Sequence, residues 1–490
     1  MSIQSVNPRT GELFGPVYAS TSAVEVDQMI GSALESFKVW SKMAGTERAR
    51  ILTAVADALD ANVAALADMA EAETGLGTVR LTGEVARTTF QIRTFAIALE
   101  KGEFISPQVD AAVDAPLPVG HPKFLRTLRG IGPVAVFGAS NFPFAFSVLG
   151  GDTASALAAG CSVVIKAHHS HPQTSEMTFK IASKALTEAG APIGLMGLGH
   201  GHEFGRSIVI DPRMRAGAFT GSRGGGRALF DLAQSREMPI PFYGELGSVN
   251  PVVVTESGLT DAAAFAGAYL DSLLLGNGQF CTNPSLLFAP ANSLFLAEVQ
   301  SQLVEREPLP FLSEVTKTLH DKNRKLLVEN TGASTYKGKS PVETGFFSSP
   351  EVLVLSADDV SAKPRELDTE CFGPTGVIIT YSSVDQVVRI LNELEGALAG
   401  SLFSAPTDPS VGLLLNALAA MSGRVAFNAW PTGVAVTSGQ HHGGPYPAAT
   451  SPLHTSVGIQ AITRFLRPVT FQGVPDELYK SITLDNVKGK

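Results

Sequence analysis

Three cysteines in 490 residues are too few for a disulfide framework, and Cys161, Cys281 and Cys371 form no C-x-x-C pair. A reducing cytoplasm is the expected setting. Basic residues are also short in supply: 37 Lys and Arg face 46 Asp and Glu, a net charge of −9. Nucleic acid needs a basic face, which excludes it as the main partner, although local cations can still hold a phosphate-bearing cofactor. No run of about eighteen apolar residues occurs, which removes a transmembrane helix. The first residues, Met1-Ser-Ile-Gln-Ser-Val-Asn-Pro8, lack the basic-then-apolar order of a signal peptide. Repeats of solenoid period and low-complexity segments are missing too.

What is present is apolar residues in quantity. With 44% hydrophobic and 17% charged residues the chain can bury large cores, and its length implies two or three domains. From Ser22 to about Glu103 the apolar spacing is helical, as in Ala33, Phe37 and Trp40, with starts at Thr21-Ser22 and Gly45-Thr46. Phe124 to Arg129 alternates like an exposed strand, and Gly132-Pro-Val-Ala-Val-Phe-Gly138 reads as a buried one. Helices over 151–159 and 170–189 then alternate with strands at 162–166 and 214–220. That alternation predicts an α/β protein with a parallel sheet covered on both faces. A second αβ series starts near Asn250, with strands around 285–289, 352–355 and 376–380. The tail Ile462 to Phe471 alternates again and suits an edge strand given to a partner subunit.

Chemistry concentrates in three places. Cys281 lies in Gly276-Asn-Gly-Gln-Phe-Cys-Thr-Asn-Pro284, among polar and turn-forming residues unlike an apolar core. Thirty-six residues upstream, Phe242-Tyr-Gly-Glu245-Leu-Gly247 sets a carboxylate between glycines, and Gly138-Ala-Ser-Asn141-Phe-Pro143 sets an amide after an apolar run. Singly, these are a core thiol, a loop carboxylate and a helix cap. Together they are the groups needed for attack on a carbonyl, activation of water and stabilisation of an oxyanion.

These motifs, with Val163-Val-Ile-Lys166-Ala167, Phe219-Thr-Gly221-Ser222 and Glu370-Cys-Phe372-Gly-Pro374 in the same order, resemble the aldehyde dehydrogenase superfamily across essentially the whole chain. The wording around Gly138–Gly160, Phe219–Arg227 and His441-His-Gly-Gly-Pro445 is similar to its NADP-using branch, which includes 2-oxoglutarate-semialdehyde (2,5-dioxopentanoate) and bacterial long-chain aldehyde dehydrogenases. The resemblance implies a Rossmann-type cofactor domain over 1–113 and 131–246, a catalytic α/β domain over 247–446, and a bridging and oligomerisation element from 114–130 and 447–490. It implies that Cys281 forms a thiohemiacetal and then a thioester, that Asn141 and the Cys281 N–H hold the oxyanion, and that Glu245 activates the hydrolytic water.

For the cofactor, Gly199-His-Gly201-His-Glu-Phe-Gly205 has one residue too many for G-x-G-x-x-G. The family's variant mode implies Lys166 on the adenosine ribose, Gly221 and Ser222 at the pyrophosphate, and Glu370 and Phe372 at the nicotinamide side. His169 stands where NAD-using relatives commonly carry a glutamate that would repel a 2′-phosphate, and the resemblance implies that Arg206 falls where a residue lines the adenine. NADP is therefore expected, with NAD as a weaker second cofactor. His442 is expected near the nicotinamide or the substrate. No metal is expected, because adjacent histidines rarely share one tetrahedral site and no carboxylate or thiol stands at regular spacing from them. The expected assembly is a homodimer or homotetramer. The leading substrate is 2-oxoglutarate semialdehyde, followed by a fatty or aromatic aldehyde. A CoA-acylating enzyme is disfavoured by the presence of Glu245, and a non-catalytic scaffold by the intact Cys281, Glu245 and Asn141.

Overall fold

Helical spacing near the N-terminus becomes four helices, Ala23–Trp40, Gly45–Asp60, Val63–Thr74 and Thr78–Glu100, in the computed structural model, which describes residues 3–104, 106–247 and 249–478. The first starts at a capping box. Ser22 Oγ accepts from Glu25 N at 3.3 Å, and the Glu25 carboxylate accepts from Ser22 N at 2.7 Å. Such a cap contributes about 1 kcal/mol. Leu52 and Val55 of the second helix pack with Leu81, Val85 and Phe95 of the fourth, and that cluster continues under the first sheet.

This sheet has five parallel strands in the order Met196–Gly199, Val163–Lys166, Val134–Phe137, Ala216–Gly221, Phe242–Leu246. Val134, Val163 and Ile165 have no exposed surface, as expected of strands covered on both faces. Each contributes about 1.5–3 kcal/mol through burial. Strand order reverses between Val134–Phe137 and Ala216–Gly221, which opens a crevice at their carboxyl ends, where open α/β sheets receive ligands.

A second sheet has seven strands in the order Ser334–Lys337, Glu351–Ser356, Thr375–Tyr381, Leu286–Pro290, Pro251–Val254, Ala397–Phe403, Ser422–Phe427. Only Ser334–Lys337 pairs antiparallel within it, through Glu351–Ser356. The strands Met196–Gly199, Phe242–Leu246, Ala397–Phe403 and Ser422–Phe427 are not marked by the local pattern. Each contains glycine, which weakens strand propensity, and each is set by the neighbour it pairs with.

The tail departs from its expected form. Residues Ile459–Phe465 wind into a 3-10 helix, because Ile462 and Phe465 at i, i+3 spacing both reach the core and Arg464 meets Asp152 at 2.7 Å. The strand begins later, at Leu466–Gln472, and it pairs antiparallel with Phe124–Gly130 of its own chain instead of only with a partner. Gln108–Asp110 completes this three-stranded sheet, and Leu466–Gln472 forms one of its edges. Before that turn, residues 448–450 run beside Phe242–Leu246, with Leu246 N donating to Ala448 O at 2.8 Å and Thr450 N to Gly244 O at 2.9 Å. Among the described residues no helix is long and apolar enough to cross a membrane.

Candidate active site

Cys281 is presented by a loop between the helix Ala262–Leu274 and the strand Leu286–Pro290. Three successive residues, Gly276, Asn277 and Gly278, take φ of 58°, 60° and 69°, a left-handed turn that glycine and asparagine tolerate best. A Cβ on Gly278 would lie 2.0 Å from Gly373 O, so this position needs glycine for space as well. Side-chain amides then fix the loop. Asn250 Nδ2 donates to Cys281 O at 2.9 Å and to Asn283 O at 3.1 Å, and Gln279 Nε2 donates to Gly276 O at 3.1 Å. The thiol is thus half-buried on a pinned support.

Facing it are two groups from distant segments. Cys281 Sγ lies 3.6 Å from His442 Nε2, and His442 Nε2 lies 2.8 Å from Glu245 Oε1. One nitrogen of His442 is therefore close to both the thiol and the carboxylate. Ser456 Oγ donates to the other Glu245 oxygen at 2.5 Å, and Ser456 N donates to His442 O at 2.8 Å. Burial pushes the Cys281 thiol well above its ordinary range, Glu245 pushes it further, and Arg87 opposes them. Burial also works to raise the Glu245 carboxyl, but His442, Ser456 and Cys281 together hold it below its usual range. The resting arrangement is a protonated thiol beside an ionised carboxylate, with one imidazole nitrogen close to both.

Asn141, buried, donates from Nδ2 to Gln279 O at 3.0 Å, which brings its amide to the Cys281 loop with one N–H left over. Its own carbonyl accepts from Arg80 Nη2 at 2.7 Å. The turn after it is fastened by the buried Glu84 carboxylate, which accepts from Phe144 N at 2.8 Å and Ala145 N at 3.0 Å.

The remaining expected residues sit on the first sheet and its rim. Lys166 ends the strand Val163–Lys166, and burial lowers its pKa to about 8; among the described residues no carboxylate comes within ion-pair distance of it. His169 lies beside it with part of the residue exposed; partial desolvation of its ring, then Lys166 and His202, lower its pKa to about 4. Arg206 projects from the helix His202–Ile210, 3.9 Å from Glu203. Gly221 ends its strand, and Ser222 caps the helix Arg223–Gln234 by accepting from Gly225 N at 3.3 Å. Glu370 abuts Gly247, where a Cβ would meet its carboxylate, and its charge helps to raise the Cys281 thiol; Phe372 is half-buried on the same turn. His442 lies with Cys281 and Glu245, apart from the Lys166 group.

A profile of the aldehyde dehydrogenase family matches residues 1–468. The chain belongs to that family. It is similar to alpha-ketoglutaric semialdehyde dehydrogenase 2 of Azospirillum brasilense, 38% identical over 97% of this chain and 92% of that one. Alpha-ketoglutaric semialdehyde dehydrogenase of Acinetobacter baylyi is 36% identical over 99% and 93%. Among solved structures, 1-pyrroline-5-carboxylate dehydrogenase from Thermus with bound NAD superposes with a TM-score of 0.82 at 22% identity, covering 96% of this chain and 90% of that one. The structure of 3,6-anhydro-L-galactose dehydrogenase in complex with NAP gives 0.81 at 22%, covering 96% of each.

Two arginines of this aldehyde dehydrogenase escape sequence reading. Arg87, on the helix Thr78–Glu100, lies 5.2 Å from the Phe146 ring centroid and donates from Nη2 to Val434 O at 3.3 Å. Arg424, on the strand Ser422–Phe427, donates to Gly433 O at 2.9 Å and to Pro431 O. Burial disfavours both charges, and Cys281 counteracts that in both, so the two guanidiniums stand within the electrostatic reach of the sulfur. Arg87 Nη1 and Arg424 Nε are buried without a hydrogen-bond partner. Nothing in the local sequence marks them, since they lie 337 residues apart. Asn250 and Ser456 were equally silent, because each acts on a residue brought to it only by folding.

Proposed function

We propose that this aldehyde dehydrogenase oxidises 2-oxoglutarate semialdehyde to 2-oxoglutarate, preferring NADP and using NAD less well. The observation that carries the substrate is the pair Arg87 and Arg424. Two half-buried guanidiniums with unused nitrogens near a nucleophilic sulfur suit an aldehyde whose far end is an anion, and a carboxylate is what guanidinium forks bind best. The names of the two relatives at 36–38% identity support the same substrate. A fatty or aromatic aldehyde would leave those nitrogens unsatisfied.

In the mechanism the Cys281 proton leaves to solvent by way of His442 as the sulfur attacks the aldehyde carbon, which keeps Glu245 ionised for the later step. The oxyanion so formed is held by the Asn141 amide and the Cys281 N–H. A nicotinamide cofactor held at the site would supply the acceptor for the hydride on this carbon, and Cys281 would be left as a thioester. Glu245 then takes a proton from water, which attacks the thioester, releases the acid and restores the thiol. His442 positions Glu245 and gives the thiol proton a short route.

The residues at the sheet's carboxyl ends fit such a cofactor. Lys166 is a half-buried ammonium with, among the described residues, no carboxylate to pair with, and the N-terminus of Arg223–Gln234 opens with the exposed Gly224 and Gly225, so backbone can approach a pyrophosphate closely. Glu370 and Phe372 line the side toward Cys281. The preference for NADP rests on His169, where a carboxylate would repel the extra phosphate, and on the exposed Arg206 guanidinium. The cofactor domain is placed at 1–113 and 131–246 and the catalytic domain at 247–446. Assembly into dimers, or tetramers of them, would use the open edge of Leu466–Gln472. Three unpaired cysteines and a thiol mechanism suit a reducing cytoplasm.

Initial rates with 2,5-dioxopentanoate, hexanal and benzaldehyde, each with NADP and NAD, test the proposal. It predicts the highest kcat/KM for 2,5-dioxopentanoate with NADP. A higher value for hexanal or benzaldehyde would overturn the substrate, and a higher value with NAD would overturn the cofactor preference.

A further inference from the structure

Cys281 Sγ, His442 Nε2 and a Glu245 oxygen lie within 4.8 Å of one another. These are the three ligand types zinc takes most readily. In a tetrahedral site with Zn–S of about 2.3 Å, Zn–N of about 2.0 Å and Zn–O of about 2.1 Å, sulfur and nitrogen sit about 3.6 Å apart and nitrogen and oxygen about 3.4 Å apart. Here sulfur and nitrogen are 3.6 Å apart. Nitrogen and oxygen are 2.8 Å apart and need to open by roughly 0.6 Å, a small rotation of one carboxylate. The ligands are also held from behind: Ser456 on the second Glu245 oxygen and Asn250 on the Cys281 carbonyl act as the outer shell that orients metal ligands. The spacing rule that spoke against a metal looked for neighbours in sequence, whereas these three residues come from a strand and two separate loops.

We propose that Cys281, His442 and Glu245 form a reversible inhibitory site for zinc or a comparably soft divalent ion. On binding, the Cys281 S–H bond breaks and its proton leaves to solvent. Bonds form from sulfur, Nε2 and the carboxylate to the metal, and no electrons are transferred. The fourth position stays open to water on the half-exposed side of Cys281, so the ion can arrive there. A sulfur bound to zinc cannot attack a carbonyl, and metal and turnover exclude each other. Arg87 and Arg424 repel the dication, which keeps the site weaker than a closed four-ligand one. Magnesium and calcium, which prefer all-oxygen shells, would be refused. The inference holds whichever aldehyde is oxidised.

Cobalt(II) titration of the full chain tests it by absorption spectroscopy, with zinc chloride as competitor. The expected result is one cobalt per chain with a thiolate-to-cobalt charge-transfer band, displaced by zinc. Cys281→Ser should abolish the band, and His442→Asn should weaken binding by about tenfold or more. Cys371→Ser should leave both unchanged. Zinc should also slow iodoacetamide labelling of Cys281, and EDTA should restore it. An undiminished band in Cys281→Ser, unaltered affinity in His442→Asn, or labelling indifferent to zinc would each overturn the site. These readouts follow metal binding and thiol accessibility, so they stand apart from any failure of the substrate assignment.

Discussion

At the end of the strand Val163–Lys166, burial strips charge from bases; at Phe242–Leu246, three strands across the same sheet, a carboxylate keeps its charge in deeper burial. Lys166, His168 and His169 all have lowered pKa values, and the cause is the same in each: desolvation first, then mutual repulsion or nothing. Among the described residues no carboxylate pairs with Lys166, so its ammonium is left wanting an anion. Around Glu245 desolvation is again the largest single cause, but His442, Ser456 and Cys281 together answer it within the protein. One cluster awaits a ligand to answer its charge, and in the other neighbouring side chains already do so. Binding and chemistry thus use the same physical cost in opposite ways.

The most severe way to test the self-contained cluster is Cys281→Ala, which should reduce coenzyme turnover by about 10⁴-fold or more in steady-state assays. Wild-type speed in that variant would end the thioester mechanism. Glu245→Gln should lower turnover by about 10² to 10⁴-fold while leaving a first-turnover burst of reduced cofactor, because acylation outlives the loss of the water base. Rapid-quench measurements that showed no burst would instead place Glu245 before hydride departure.

Smaller effects are expected where a ligand supplies the missing charge. Arg87→Met should lower kcat/KM for 2,5-dioxopentanoate by about ten- to a hundredfold and hexanal by far less, since only the former offers a carboxylate. Equal losses for both substrates would make Arg87 a support for the 431–434 loop and nothing more. The mildest test is pH. Lys166, with a pKa of about 8, is charged below that value and neutral above it, so KM for the cofactor should stay flat up to pH 8 and then rise by about threefold to tenfold. Lys166→Met should carry the higher KM at every pH, and a wild-type curve unchanged beyond pH 9 would remove Lys166 from cofactor binding.

Much of this was readable before folding. Val134–Phe137 and Val163–Lys166 announced themselves because strands buried on both faces must be apolar throughout, and Ser22 with Glu25 announced a helix start. Cys281, Glu245 and Asn141 stood out because each is a reactive or polar type set among small residues. Phe242–Leu246 did not read as a strand, since its glycine and glutamate are accepted there only through pairing with Ala216–Gly221 and the returning 448–450 segment. Arg464 looked like part of an edge strand until Asp152, more than three hundred residues away, took its charge into the core.

The order of apolar and polar residues along the chain determined which segments became helices and strands, and which reactive groups were available, because both follow from neighbours a few positions apart. Folding alone decided that His442 is close to both a sulfur and a carboxylate, that two guanidiniums stand within electrostatic reach of that sulfur, and that three metal-binding atoms converge. Those are distances between residues far apart in the chain, and only long-range packing can fix them.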